Sequence, residues 1–266
     1  MEYSQLSDRN QIEDYLNTHP GLFVYSLGDL EDNLWPYTKW FGAIEGGEIT
    51  AICMVFTKYD PPLVQAISEP DNHAINGLVS AISGYLPDRA RVHFSDATDK
   101  AFAETYQRVN LVSGWKMALS DRSRLAEVDI SPVQKLGLGD VESLERLYQS
   151  AHGESDGSHL FTKSMLDIGP YFGMKIDDQV VSAAGVHVFS PHFGVAAIAN
   201  VATRTDVRGR GFAQSVTARL CQELITSVEH IGLNVEGTNE PALRAYKRIG
   251  FEQLEMFYAA DMTRVT

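Results

Sequence analysis

Cysteine is scarce in this chain, with two among 266 residues, and so is positive charge: 22 Lys and Arg stand against 35 Asp and Glu. Cys53 and Cys221 each sit in apolar sequence, which excludes a disulfide framework. Two buried, reduced thiols in a cytoplasmic protein are the expectation. A net charge of −13 argues against a nucleic-acid partner, which calls for a basic face. Such an acidic field mildly favours cationic small partners such as amines. Long apolar runs are missing too. The longest, residues 194–202, is interrupted by Asn200, so no membrane span is expected. The opening "MEYSQLSDRN" lacks the basic flank and apolar core of a signal peptide. What remains is 44% hydrophobic, ample for a packed core in one domain or two.

The second half has the clearer pattern. In "GDVESLERLYQSA", Val141, Leu144, Leu147 and Tyr148 recur at helical spacing behind the capping candidate Asp140. A polar loop follows, then a short helix is expected over Ser164–Ile168. Residues 171–190 read as two strands turned at Asp177-Asp178, and 193–203 as a third, largely apolar strand. Phe212, Val216, Leu220 and Leu224 then recur every four residues, the apolar face of a helix. A strand over 231–236, a helix over 239–249 stopped by Gly250, and a last strand complete a mixed α/β sheet. The first half repeats this grammar faintly. "FGAIEGGEITAICMVF" (41–56) parallels "FGMKIDDQVVSAAGVHVF", and "VHFSDATDKAFAETYQRVN" (92–110) parallels "GLNVEGTNEPALRAYKRIG", with Tyr106 opposite Tyr246. Two related domains are expected, 1–124 and 125–266.

One stretch does not repeat. "RTDVRGRGFAQ" (204–214) joins the apolar strand to the helix through two glycines and two arginines. Free backbone N–H groups and the helix dipole favour an anion there. Gly209 and Gly211 admit close approach, while Arg208 and Arg210 add permanent charge. The pattern suits a pyrophosphate. It lacks the Gly-Lys-Ser/Thr ending of a P-loop and the glycine spacing of a dinucleotide fold. At the matching place in the first half the chain reads "AISEPDNHAING", where Pro70 removes a donor and Glu69 and Asp71 repel an anion. Any phosphate site therefore belongs to the second half.

Arg208-Gly209-Arg210-Gly211-Phe212-Ala213 matches the R/Q-x-x-G-x-G/A pattern of the GNAT superfamily of N-acetyltransferases, and Asn239, Ala242, Tyr246, Gly250 and Phe251 match its N-x-x-A-x-x-x-Y-x-x-x-G-F signature. The chain resembles that family over about 130–263, with the first half resembling the degenerate partner of two-domain members. The resemblance implies a tandem GNAT fold and an acetyl-CoA-dependent N-acetyltransferase that needs no metal. It further implies that the amides of Gly209, Arg210, Gly211, Phe212, Ala213 and Gln214 hold the CoA pyrophosphate. The backbone of Val201, Ala202 and Thr203 would pair with the pantetheine arm, and Asn239 would hydrogen-bond it.

Tyr246, two helical turns from Asn239 on nearly the same face, is by that resemblance the general acid; otherwise it is a packed core tyrosine. An oxyanion donor near Val201 is expected from the backbone. The base stays open. Some members carry a Glu where this chain has Asn234; Glu236 lies two residues on, facing the same side, and is either the base or a solvated strand end. Glu154, Asp156, His152 and His159 in the polar loop, His187, and a water chain are further candidates. His152 and His159 lack the tight spacing of metal ligands. Trp35, Tyr37, Trp40 and Tyr171 either line an acceptor pocket or pack a core. The acceptor is expected to be a small amine or amino-acid-like molecule, with a non-catalytic acyl-CoA sensor, a protein acetyltransferase and an unrelated phosphate-binding module as alternatives. A homodimer also stays open.

Overall fold

In a computed structural model of the chain, residues 1–152 and 161–265 are described. The strands are β1 (Glu2–Leu6), β2 (Thr38–Glu45), β3 (Glu48–Phe56), β4 (Leu63–Ala66), β5 (Arg89–Phe94), β6 (Tyr106–Leu119), β7 (Gln134–Leu136), β8 (Tyr171–Ile176), β9 (Gln179–Ser190), β10 (Val195–Thr203), β11 (His230–Glu236) and β12 (Phe251–Arg264). The helices are α1 (Arg9–Leu16), α2 (Val24–Gly28), α3 (Ala74–Ala81), α4 (Asp99–Thr105), α5 (Val141–His152), α6 (Phe212–Leu224) and α7 (Glu240–Arg248). Among the described residues, no helix is long and apolar enough to cross a membrane.

The chain forms two compact units. One holds Met1–Lys116, Val235–Thr238 and Gln253–Thr266; the other holds Met117–Asn234 and Asn239–Glu252. A single cut at 124/125 therefore does not describe the packing, because the C-terminal strand joins the first unit. There β12 pairs antiparallel with β5, from Tyr258↔Phe94 to Thr263↔Arg89. Near its end Arg264 donates to Asp88 (2.7 Å), to the carbonyls of Ser83 and Leu86, and to the Tyr106 hydroxyl. A guanidinium spreads its donors as a fork, which suits a site where several acceptors converge.

Taken separately, the two units repeat one ladder pattern. In the first, β1–β2, β2–β3 and β3–β4 are antiparallel and β4–β5 parallel. In the second, β7–β8, β8–β9 and β9–β10 are antiparallel and β10–β11 parallel. The paired hairpins expected from the sequence are there. β2 and β3 turn at Gly46-Gly47, β8 and β9 at Asp177-Asp178, and all four turn residues have positive φ. Such turns match the twist of the strands they join. The short β7 went unread in the sequence, and the helix expected over Ser164–Ile168 is a single 3-10 turn, Lys163–Asp167.

The second unit's core is central β9, buried on both faces from Val180 to Val186, and the α6 face Val216, Leu220, Cys221 and Leu224. Both cysteines are buried and unpaired, and burial pushes the Cys53 thiol up to about 12.

The first unit carries two costly groups. Lys116 on β6 is 5% exposed; its ammonium lies over the rings of Tyr25 (5.0 Å) and Phe257 (6.0 Å). Desolvation lowers its pKa to about 8. Asp29, after α2, accepts from Gln65 (3.2 Å), and burial raises it to about 7. The signs are opposite. The unfolded lysine binds its proton below about 10.5 and the folded one only below about 8, so Lys116 costs stability increasingly as pH falls across that window. Asp29 costs stability as pH rises from about 4 through 7. Lys116→Met should therefore stabilise the protein by up to about 3 kcal/mol at pH 7, with the gain shrinking towards pH 10.5. Urea unfolding at the two pH values measures this; an equal gain at both would contradict it.

Candidate active site

In the second unit β10 and β11 run parallel only from Val195↔His230 to Ile198↔Leu233. Beyond that pair β10 continues to Thr203, held on its other side by β9 through Ala202↔Ala183 and Thr203↔Ser182. The strand edge of residues 199–203 facing β11 is thus outside any ladder with it. Asn234 follows the last paired residue, and its Oδ1 is buried with no hydrogen-bond partner. A buried acceptor left unmatched costs about 1–3 kcal/mol, so the spot favours a donor.

A kink accompanies the parting. Between Ala199↔Gly185 and Ala202↔Ala183 the register shifts by one residue, and Asn200 has φ +54°. This is a β-bulge.

After β10 the chain makes a 3-10 turn, Thr205–Val207, and reaches α6 through Gly209 (φ +78°) and Gly211 (φ +83°). L-residues avoid that region at a cost of about 1–2 kcal/mol, which explains glycine at both positions. A Cβ at either would meet no atom within 4 Å, so the loop faces open space. The first described helical bond is Ser215 N–H to the Gly211 carbonyl (3.0 Å). The amides of Phe212, Ala213 and Gln214 therefore lack an acceptor within the helix and form its positive end.

The three arginines differ in use. Arg204 pairs with Asp206 (2.6 Å). Arg208 braces the loop, donating to the carbonyls of Thr203 (3.1 Å) and Ala151 (3.4 Å). Arg210 is exposed and has no ion-pair partner among the described residues.

Asn239 caps α7, its Oδ1 accepting from Ala242 N–H (3.2 Å), so only its amide NH₂ remains to donate. Tyr246 lies within α7, 9% exposed, its ring 6.0 Å from that of Phe251. Glu236 is exposed at the end of β11, in the segment counted with the first unit. His187 lies on β9 with part of its surface exposed, while desolvation of its ring lowers its pKa. Glu154, Asp156 and His159 lie outside the described residues, as does the side chain of His152. Among the described residues no group of His, Cys, Asp or Glu has the arrangement of a metal site. Of the candidate pocket aromatics, Trp40 and Tyr171 are core; Trp35 stacks on Trp40 (6.5 Å) and Tyr37 is exposed, both in the first unit. A cavity of about 430 Å³, lined by Leu136, Leu166, Tyr171, Phe189 and Leu224 among others, lies by the C-terminal end of α6, at the opposite end from the glycines.

The first unit differs at the same place. Its parallel ladder runs from Leu63↔Arg91 to Ala66↔Phe94, closed by the bond from Ser95 N–H to the Ala66 carbonyl (3.0 Å). Beyond it Ser68 N–H bonds the Ser95 Oγ (3.0 Å), so a hydroxyl bridges the two strands where the ladder ends. Before α3, the Asn72 Oδ1 accepts from Ala74 N–H (3.1 Å), and Glu69 is gripped by Asn72 (2.9 Å) and His19 (3.1 Å). Tyr106 is tied to the Pro87 carbonyl (2.9 Å) and to Arg264. Where the second unit has a glycine loop and a free strand edge, the first has a carboxylate held by side chains and a serine bridge.

The comparisons agree with the fold. A family described as FR47-like protein matches residues 178–259, spanning β9 to β12. Among solved structures, a GNAT-family acetyltransferase from Colwellia psychrerythraea is similar at 14% identity and TM-score 0.56, covering 99% of this chain and 100% of that one. A tandem GNAT protein from the clavulanic acid biosynthesis pathway is similar at 11% identity and TM-score 0.55 over 99% and 98% of the two chains. This is a tandem GNAT fold. A Drosophila protein has a higher TM-score, 0.69, at 12% identity over 98% of each chain. Comparison with curated protein sequences gives no match. At these identities the likeness concerns the GNAT fold alone.

Because the Cβ positions of both loop glycines face open space, Gly211→Ala should cost only the backbone term, about 1–2 kcal/mol. Chemical denaturation measures it; a loss above about 3 kcal/mol would mean that the added methyl meets neighbouring atoms.

Proposed function

We propose that the second unit binds acetyl-CoA and transfers its acetyl group to the primary amine of a small or amino-acid-like molecule. The observation that carries this is the parting of β10 from β11 beside an open glycine loop at the start of α6. The residues present fit a CoA group. The first-turn amides of α6, with Arg210, suit a pyrophosphate. The free edge of Val201, Ala202 and Thr203 suits an extended amide-bearing arm, which adds to the sheet as a further strand. The orphaned Asn234 Oδ1 offers an acceptor to an arm N–H, and the Asn239 amide offers a donor.

CoA, when bound, supplies an activated acyl group. The chain's part is to orient it, to meet charge that develops on the thioester oxygen, and to handle protons. A backbone N–H at the bulge, near Val201, serves the second task. Tyr246 serves the third, donating its phenolic proton to the departing sulfur. A base must also deprotonate the incoming ammonium. Glu236 is one candidate and a water chain another. The negative net charge assists the encounter with a cationic acceptor. The first unit, with the Glu69 carboxylate ahead of α3 and Ser95 bridging its strands, takes no CoA.

Thiol release from acetyl-CoA across a panel of small amines tests the reading. Turnover is expected for at least one amine, with kcat reduced about 100-fold or more in Tyr246→Phe. CoA binding without turnover on any amine would favour an acyl-CoA sensor; turnover confined to peptides would favour a protein acetyltransferase. Gly211→Asp, which adds a side chain and a negative charge at the loop, should abolish CoA binding, and undiminished affinity would remove the loop from the site.

A further inference from the structure

The bulge at Asn200 is held from three directions. The Tyr148 hydroxyl, on α5, donates to the Asn200 carbonyl (2.5 Å). The Asn200 amide donates to the Tyr171 hydroxyl on β8 (2.8 Å) and contacts the Met165 sulfur (3.3 Å). The rings of Tyr148 and Tyr171 are themselves fixed in the core by Phe161, stacked on Tyr148 (5.5 Å) and edge-on to Tyr171 (5.8 Å). Tyr171 lies flat against Gly185, the residue paired with Ala199 across the ladder; a Cβ at Gly185 would fall 2.1 Å from its ring. Gly185 is therefore what lets this phenol reach Asn200.

The left-handed conformation of Asn200 costs about 1 kcal/mol or more, although Asn tolerates it better than most residues. Three polar contacts, each of modest net worth, offset that cost. They also fix a plane. In a trans peptide the N–H points opposite to the C=O, so holding the Asn200 carbonyl on Tyr148 sets the direction of the Val201 N–H. That peptide lies in the gap of the β9–β10 register, between the pairs of Ala199 and Ala202.

We propose that Tyr148, Tyr171 and Asn200 form a positioning clamp that presents the Val201 amide to the thioester oxygen, with Tyr171 and Asn200 setting turnover rather than donor affinity. This rests on the acyl-CoA reading above. None of the three touches the reacting atoms; they act through one backbone amide. Preorganised donors work because no reorganisation is needed as charge develops, so loosening the clamp should lower kcat and spare binding.

The test is Tyr171→Phe, which keeps the ring over Gly185 and removes only the hydroxyl, with Asn200→Gly as a second variant that keeps the backbone conformation without the side chain. In ¹⁵N-labelled wild type, CoA should shift the amides of Gly211–Gln214 and, through its arm, the 201–203 edge. Acetyl-CoA should add a further shift at Val201 that CoA does not give; this acetyl-dependent shift is the Val201 response. In either variant the Val201 response should fall severalfold with the α6 response retained. Their kcat should drop about 10- to 100-fold and the acetyl-CoA KM should stay within about threefold. A silent Val201 beside responding α6 amides, a KM rise with kcat intact, or variants matching wild type in both readouts would each overturn the clamp. Silence at both places in wild type would overturn the acyl-CoA reading itself, and the clamp with it.

Discussion

Everything proposed for this chain depends on two parallel strands that stop pairing. β10 and β11 hydrogen-bond as far as Ile198 and Leu233 and then separate. A strand edge, two glycines of positive φ and the positive end of α6 are thereby placed along one path. An open strand edge in a protein interior is a liability, since unpaired amides and carbonyls seek partners. Here the bulge at Asn200 falls where the edge opens, and Tyr148 and Tyr171 hold its peptide plane.

The first unit shows the same architecture with the end of its parallel pair bridged. One serine, Ser95, bonds Ser68 just past the end of β4, and one glutamate, Glu69, settles among side-chain donors ahead of α3. The tyrosine matched to Tyr246 in sequence is spent on a carbonyl and an arginine. The ladder order is common to both units, and a few side chains set what lies at the end of each parallel pair.

Much of this was legible in the residues. The glycine–arginine turn, the apolar face of α6, and the capping Asn with the Tyr of α7 are local patterns, and local patterns survive folding. The hairpin repeat was legible for the same reason, since Gly46-Gly47 and Asp177-Asp178 are turn residues at matching places. What escaped was long-range. Nothing in β12 itself announces that it pairs with β5, because that depends on Arg264 finding Asp88 and the carbonyls near Ser83. Asn200 showed only as a break in an apolar run; its bulge needed tyrosines from two other elements. Ser68 and Ser95 lie 27 residues apart and look like ordinary strand ends until they bond. The buried charges of Lys116 and Asp29 were unreadable likewise, since neither stands in a pattern that separates interior from surface.

The central claim is that one unit is open to CoA and the other is closed. Calorimetric titration of the intact chain with CoA measures this directly through stoichiometry. One CoA per chain is the result the account predicts. Two per chain would show that the Ser95 bridge and the Glu69 carboxylate do not close the first unit, and none would show that the parting of β10 and β11 does not make a CoA site.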